Sequence, residues 1–341
     1  MKLTTLLFLA VTLPCIFSLH AQSIEPAFDT FDQIYKQQLG STRGCDNPEQ
    51  RMFRVCSDVL KNDGNAPFIL HHNKVTSKVA VLFHGLSDSP FFLRSIAKSI
   101  HQQGVNVVVA LTPGHGKKRA DEDMQDPNMS DHWRKHVTEI MTFSKGLGEQ
   151  FYIGGFSTGG VLATEYVLQN PADVKGLLLF SGALALNSTV ESMSKIWGIS
   201  WLMKLLDGEY QTMGGNPYKY PNVAKFSALE LLEVIFSVRT LLEQGNGLNV
   251  PIFSAHSAAD TITPISGIKH LMDANQGTNT LFEASKDLDV CHADLVISDT
   301  QLVEMKFNAS KLEEIMPCDV PKANPKHAEM IQSLLNFIDT Y

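Results

Sequence analysis

From Lys78 onward the chain alternates between two patterns. Short runs of consecutive apolar residues are followed by longer stretches in which apolar positions recur every three or four residues. The runs Val79–Phe83, Asn106–Leu111, Phe151–Gly154, Gly176–Ser181, Val250–Ala255 and Thr280–Glu283 read as strands. Several are apolar throughout, as strands covered on both faces require. The stretches Phe91–Gln103, Asp131–Lys145, Gly159–Gln169, Ile265–Ala274 and Pro325–Tyr341 carry the helical period. Strand and helix in alternation predict a mostly parallel α/β sheet. The part from Ile24 to Ile69 is less regular and leaves room for antiparallel edge strands.

One stretch breaks the rhythm. No parallel strand is evident between Ser181 and Val250, yet Met193–Leu206 and Phe226–Phe236 are apolar-rich helical patterns carrying Trp197, Trp201, Met203 and Phe236. A single crossover needs far fewer residues. The expectation is a helical cap inserted at approximately 184–245, with side chains that either line an apolar pocket or pack the cap on the body.

Candidate chemistry starts at Gln150-Phe-Tyr-Ile-Gly-Gly-Phe-Ser-Thr-Gly-Gly160. A strand run leads into Gly155-Phe-Ser-Thr-Gly159 and then a helical pattern, the setting a G-x-S-x-G nucleophile elbow needs. The pattern alone is weak, and its strand–turn–helix context gives it weight. Ser157 sits at the apex. A serine hydroxyl requires a base, and the base requires a carboxylate to fix its tautomer. The chain order in elbow-type hydrolases is serine, acid, histidine. Asp260 follows the strand run Val250–Ala255 and precedes a helix, which makes it the candidate acid; Asp294 and Asp273 follow a strand less directly. Of twelve histidines, His292 and His327 lie late enough, and His292 is favoured because it sits on a loop after the last strand. His327 occupies the start of the final helix, where a polar residue needs no special explanation. His132 and His136 are four apart, but Trp133 replaces the glutamate of a zinc-protease helix, so both are read as surface residues. For the oxyanion, the expected donors are the Thr158 N–H and the Leu86 N–H in the loop His84-Gly-Leu-Ser-Asp88. His84 is read as an orienting residue.

Composition adds the setting. The start of the chain has Lys2 and a mostly apolar Leu3–Phe17, which predicts a cleavable export signal over residues 1–21 and a single domain over 22–341. No other stretch is apolar enough to span a membrane. Five cysteines become four without Cys15, and in an oxidising compartment these predict two disulfides out of three possible connectivities, with Cys45–Cys56 and Cys291–Cys318 favoured as sequence-local pairs. A net charge of −8 gives no footprint for nucleic acid or an anionic membrane.

His84-Gly-Leu86, Pro113-Gly-His-Gly116, Gly155-Phe-Ser-Thr-Gly-Gly160, Asp260 with Pro264, and His292 occur in the order found in α/β-hydrolases. Over roughly residues 78–340 the chain resembles the branch of bacterial carboxylesterases, monoacylglycerol lipases and lysophospholipases, often grouped with serine aminopeptidases. The Gly-His-Gly turn and the 181–250 segment narrow it to that branch. Three departures stand out: Thr158 where methionine is frequent, Cys291 before the histidine, and an apparent insertion from about Val296 to Asn324. The resemblance implies an ester hydrolase acting on a small ester or lipid without a cofactor or metal, and the expected export signal places it in the periplasm or outside the cell. An amidase or a non-catalytic binding protein on the same fold is the alternative.

Overall fold

The structure is a computed structural model that describes residues 23–341 apart from 47–48, 188–190, 193–198, 200–202, 204–208, 246 and 313–314. The expected export signal, Trp197 and Trp201 lie outside the described residues. An eight-stranded sheet runs in the order β1-β2-β4-β3-β5-β6-β7-β8. Its strands are β1 (Met52–Arg54), β2 (Phe68–Leu70), β3 (Thr76–Phe83), β4 (Asn106–Ala110), β5 (Gly148–Phe156), β6 (Gly176–Phe180), β7 (Ile252–Ser257) and β8 (Asn279–Ala284). The six from β3 onward pair in parallel, and β1 and β2 form the antiparallel edge next to β4. All six predicted parallel strands are present, with ends displaced by a few residues.

Among the described residues the helices are α1 (Glu25–Leu39), α2 (Arg94–Gln102), α3 (Asp121–Met124), α4 (Met129–Ser144), α5 (Thr158–Gln169), α6 (Lys225–Glu243), α7 (Ser266–Ala274), α8 (Asp299–Met305) and α9 (His327–Thr340). They cover the sheet from both sides. One core joins α1, α4, α5 and α6 to Val79, Val81, Ile153 and Leu177; the other joins α2 and α9 to Ala80, Leu82, Tyr152 and Leu178. Alternate residues of β3 thus enter opposite cores, the period-2 rule applied to a strand buried on both faces.

Three features depart from the sequence expectation or add to it. α1 was not foreseen, although it buries Phe28, Phe31, Ile34, Tyr35 and Leu39 on one face. His136 is buried, not a surface residue: the Tyr35 hydroxyl of α1 lies 3.3 Å from its Nε2. The segment after His292 contains α8 and two short 3-10 turns. Within the expected cap region, α6 packs on α4 and α5, Met203 is buried and Phe236 lies half-buried against the core. The four cysteines after Cys15 form two disulfides, Cys45–Cys56 and Cys291–Cys318. No helix among the described residues is long and apolar enough to cross a membrane.

Candidate active site

Chain direction through the sheet reverses about β3, whose neighbours are β4 on one side and β5 on the other. In open parallel sheets the crevice beyond the carboxyl ends at such a point is where ligands gather. The register pairs Phe83 with Gly155, so the loops leaving β3 and β5 emerge side by side. Leu86 lies on the first and Ser157 on the second.

Ser157 holds φ 52°, ψ −113°, a sparsely populated conformation for a residue with a side chain. Its N–H donates to Phe180 O, and its own carbonyl accepts from the N–H groups of Gly160, Val161 and Ala183. The flanking glycines make this turn possible. A Cβ on Gly155 would lie 2.1 Å from the Phe83 carbonyl oxygen, and one on Gly159 1.9 Å from it. No L side chain fits at either place.

His292 Nε2 lies 2.9 Å from Ser157 Oγ, and its Nδ1 lies 2.6 Å from Asp260 Oδ2. A carboxylate can only accept, so Nδ1 carries the proton and Nε2 faces the serine as an acceptor. Phe156 packs against the imidazole with ring centroids 4.9 Å apart. Asp260 is buried and fully engaged. Its Oδ1 accepts from the N–H groups of Ile262 (2.9 Å) and Thr263 (3.0 Å), and its Oδ2 accepts from the Thr263 hydroxyl (3.0 Å) as well as from His292. Burial by itself would push this carboxyl up, but His292 and the Thr263 N–H outweigh it and hold it below the ordinary carboxylate range. Asp260 is therefore ionised at neutral pH.

Behind this relay stands His256, fully buried, with Nε2 2.7 Å from Thr263 O and 3.6 Å from Asp260 Oδ2. Burial pushes its pKa down, so it is neutral and donates from Nε2 to the Thr263 carbonyl. Thr263 and His256 have no role in the sequence expectation, although both lie within four residues of Asp260. Their only signal was proximity in sequence.

The Leu86 and Thr158 N–H groups donate to no other described residue. Thr158 opens α5, where the first-turn N–H groups have no intrahelical partner and the helix dipole favours negative charge. His84 Nε2 accepts from the Thr112 N–H at 3.0 Å, which leaves Nδ1 to donate to Gly85 O at 2.8 Å. Burial, with His115 beside it, drives the His84 pKa down. Both ring nitrogens are thus committed to backbone.

The rival residues sit elsewhere. Asp273 is exposed on α7, and His327 is half-buried at the first position of α9. Asp294 is close in sequence to His292 but accepts from the Lys322 N–H at 3.0 Å, with burial raising its pKa to about 6. The structure brings Ser157, His292 and Asp260 together. Among the described residues the one cluster with metal-ligand reach is Cys45, Cys56 and Asp63, whose two sulfurs are joined in a disulfide.

A parallel sheet with helices on both faces and an elbow serine at the switch point defines an α/β-hydrolase. The sequence model described as serine aminopeptidase, S33, matches residues 75–286, more than half of the chain, and the protein belongs to that family. The matched region contains Leu86, Ser157, Thr158 and Asp260, while His292 lies just beyond it. Lipase 1 of Psychrobacter immobilis is 25% identical over 120 residues, which span 35% of this chain and 36% of that protein. Two solved structures share the fold. One comes from a study of LipS and LipT, two metagenome-derived lipolytic enzymes (TM-score 0.54, 18% identity, covering 67% of this chain and 91% of that one). The other is the monoacylglycerol lipase of Paleococcus ferrophilus (TM-score 0.53, 17% identity, covering 78% and 96%).

Proposed function

We propose that this protein is an exported serine hydrolase that cleaves carboxylic esters of the carboxylesterase or small-lipase class through an acyl-enzyme. The observation that carries the reading is the unbroken relay from Ser157 Oγ through His292 to a buried, ionised Asp260. Ser157 Oγ attacks the ester carbonyl as its proton passes to His292 Nε2. Asp260 holds the imidazole by its Nδ1–H and stabilises the imidazolium. The carbonyl oxygen, now anionic, meets the N–H groups of Leu86 and Thr158. Collapse expels the alcohol, which takes the proton from Nε2 and leaves the acyl group on Ser157. Water, deprotonated by His292, then releases the acid and restores the serine. No step calls for a cofactor.

Lipolytic activity in the relatives supports an ester over an amide, and the apolar segment over about 184–245 suits an acyl chain. An aminopeptidase or amidase remains the second reading, because the family is described by a serine aminopeptidase. Two disulfides support export into an oxidising compartment. Purified protein assayed on p-nitrophenyl esters of several chain lengths, beside aminoacyl nitroanilides, decides between the substrates. Ester turnover is expected, with Ser157→Ala reducing kcat by at least about 10⁴-fold. Nitroanilide turnover exceeding ester turnover would favour the amidase, and activity surviving in Ser157→Ala would overturn the mechanism.

A further inference from the structure

The loop from Gly85 to Ser89 must keep the Leu86 N–H aimed at one point, yet it is built awkwardly. Ser87 has φ 65°, and the Asp88 side chain is only 2% exposed. A non-glycine residue in the left-handed region persists only where its surroundings hold it. A buried carboxylate likewise requires a compensating partner.

Both requirements are met by one short stretch that arrives from far along the chain, Asn216 to Tyr220. The Tyr220 N–H donates to Ser87 O at 2.8 Å, and Lys219 Nζ lies 3.1 Å from Asp88 Oδ1. The stretch is itself held in place. Lys61 Nζ donates to Lys219 O (2.8 Å), and the side-chain amides of Asn62 and Asn65 donate to Pro217 O (2.9 and 3.1 Å). The Tyr218 ring stacks on Phe91 at 3.7 Å and 6°. The Tyr220 hydroxyl donates to Gly114 O in the Gly-His-Gly turn.

We propose that Lys219 is a positioning residue for catalysis, which by neutralising buried Asp88 fixes the Gly85–Ser89 turn and so the direction of the Leu86 N–H. This rests on the reading of Leu86 as an oxyanion donor. The cation comes from the segment between β6 and α6, so the oxyanion loop is complete only when that segment is docked. A purely structural pair would change stability alone; a positioning pair changes the transition state more than substrate binding.

The test compares wild type, Lys219→Met, Lys219→Arg and the Lys219→Met/Asp88→Asn double variant on one p-nitrophenyl ester, with hydrogen exchange of the Gly85–Ser89 amides measured on each. Lys219→Met is expected to lower kcat by about 10–100-fold with KM within about twofold, since misaiming one oxyanion donor acts on the transition state. Lys219→Arg should restore most of kcat, and the double variant, with no bare buried charge, should exceed Lys219→Met. Exchange over 85–89 should quicken in Lys219→Met and not in Lys219→Arg. A kcat for Lys219→Met within about twofold of wild type would overturn the proposal, as would an arginine variant no better than methionine. Should wild type cleave no ester, the function reading fails on its own, and exchange at 85–89 still decides whether Lys219 holds the turn.

Discussion

At the scale of single residues, the site balances strained or buried groups against partners that compensate them. Gly159 shows the steric side: with 1.9 Å between its would-be Cβ and the Phe83 carbonyl oxygen, Gly159→Ala is expected to lose both activity and folded yield, read by soluble expression and melting temperature. Asp294 shows the electrostatic side. Its Oδ1 is satisfied by the Lys322 N–H, but buried Oδ2 has no hydrogen-bond partner among the described residues. Burial raises the pKa from 3.8 to about 6 despite Lys322 and Lys219 nearby. A raised folded-state pKa contributes stability below the unfolded value, and that contribution disappears as pH climbs to about 6, at a cost of roughly 3 kcal/mol at neutral pH. Asp294→Asn keeps an acceptor for Lys322 and removes the titration. Its melting temperature relative to wild type should rise by several degrees between pH 4 and 7 and then level off, on the order of 5 °C in all. A pH-independent difference would refute the assignment. At this scale the sequence was legible where a motif dictates chemistry: Ser157, Asp260 and His292 were each named from order and context, and they meet. Thr263 and Asp294 were not assigned these roles, because hydrogen-bond partnership and burial depend on chain segments far away.

At the scale of elements, legibility followed length and periodicity. The six parallel strands and the helices α2, α4, α5, α7 and α9 announced themselves by long apolar runs or sustained helical spacing. β1 and β2 have three residues each, too short to show a period, and the seven-residue α8 is equally brief. α1 had the spacing but followed directly on the apolar start of the chain, which masked its boundary. The segment that follows His292 buries Leu295, Val296, Ile297 and Met305 in the second core, but its described residues from Lys306 to Val320 are exposed or half-buried, and that later part most needs fastening. Cys291–Cys318 closes it over a separation of 27 residues, and Asn324 bonds back to Leu295 and Ile297. A loop of that size gives the disulfide about 3.5 kcal/mol by chain entropy. Cys318→Ser is expected to retain a folded sheet by circular dichroism while losing most of kcat, because the His292 loop is freed next to Ser157. Differential alkylation with and without reduction reports the bond directly. If both thiols react without reductant, the fastening does not exist.

At the scale of the whole molecule, the family match over residues 75–286 stops short of helices that share the two cores. Each face of the sheet is closed by a helix from outside that range. On one side α1 places Phe31 and Tyr35, both fully buried, against Trp133, Ile140 and Phe143, and the Tyr35 hydroxyl accepts the Leu111 N–H at 2.9 Å. On the other, α9 buries Met330, Leu334, Phe337 and Ile338 against Tyr152, Leu178 and Phe253, while Lys78 Nζ donates to Ile338 O. Removing either helix strips several large side chains from a shared core, and each fully buried residue of that size contributes roughly 1.5–3 kcal/mol of transfer free energy. Four such residues on one helix rival the 5–15 kcal/mol by which a domain is stable at all. A chain trimmed to residues 75–286 should therefore fail to melt cooperatively and should bind a hydrophobic dye, whereas residues 23–341 should melt in a single transition. Trimming only residues 23–40 tests α1 by itself. It leaves Ser157, Asp260 and His292 untouched, so a loss of activity accompanied by loss of cooperative melting would place the defect in the core. Full ester turnover and an unchanged melting temperature without α1 would mean that its buried face contributes nothing the rest of the sheet requires.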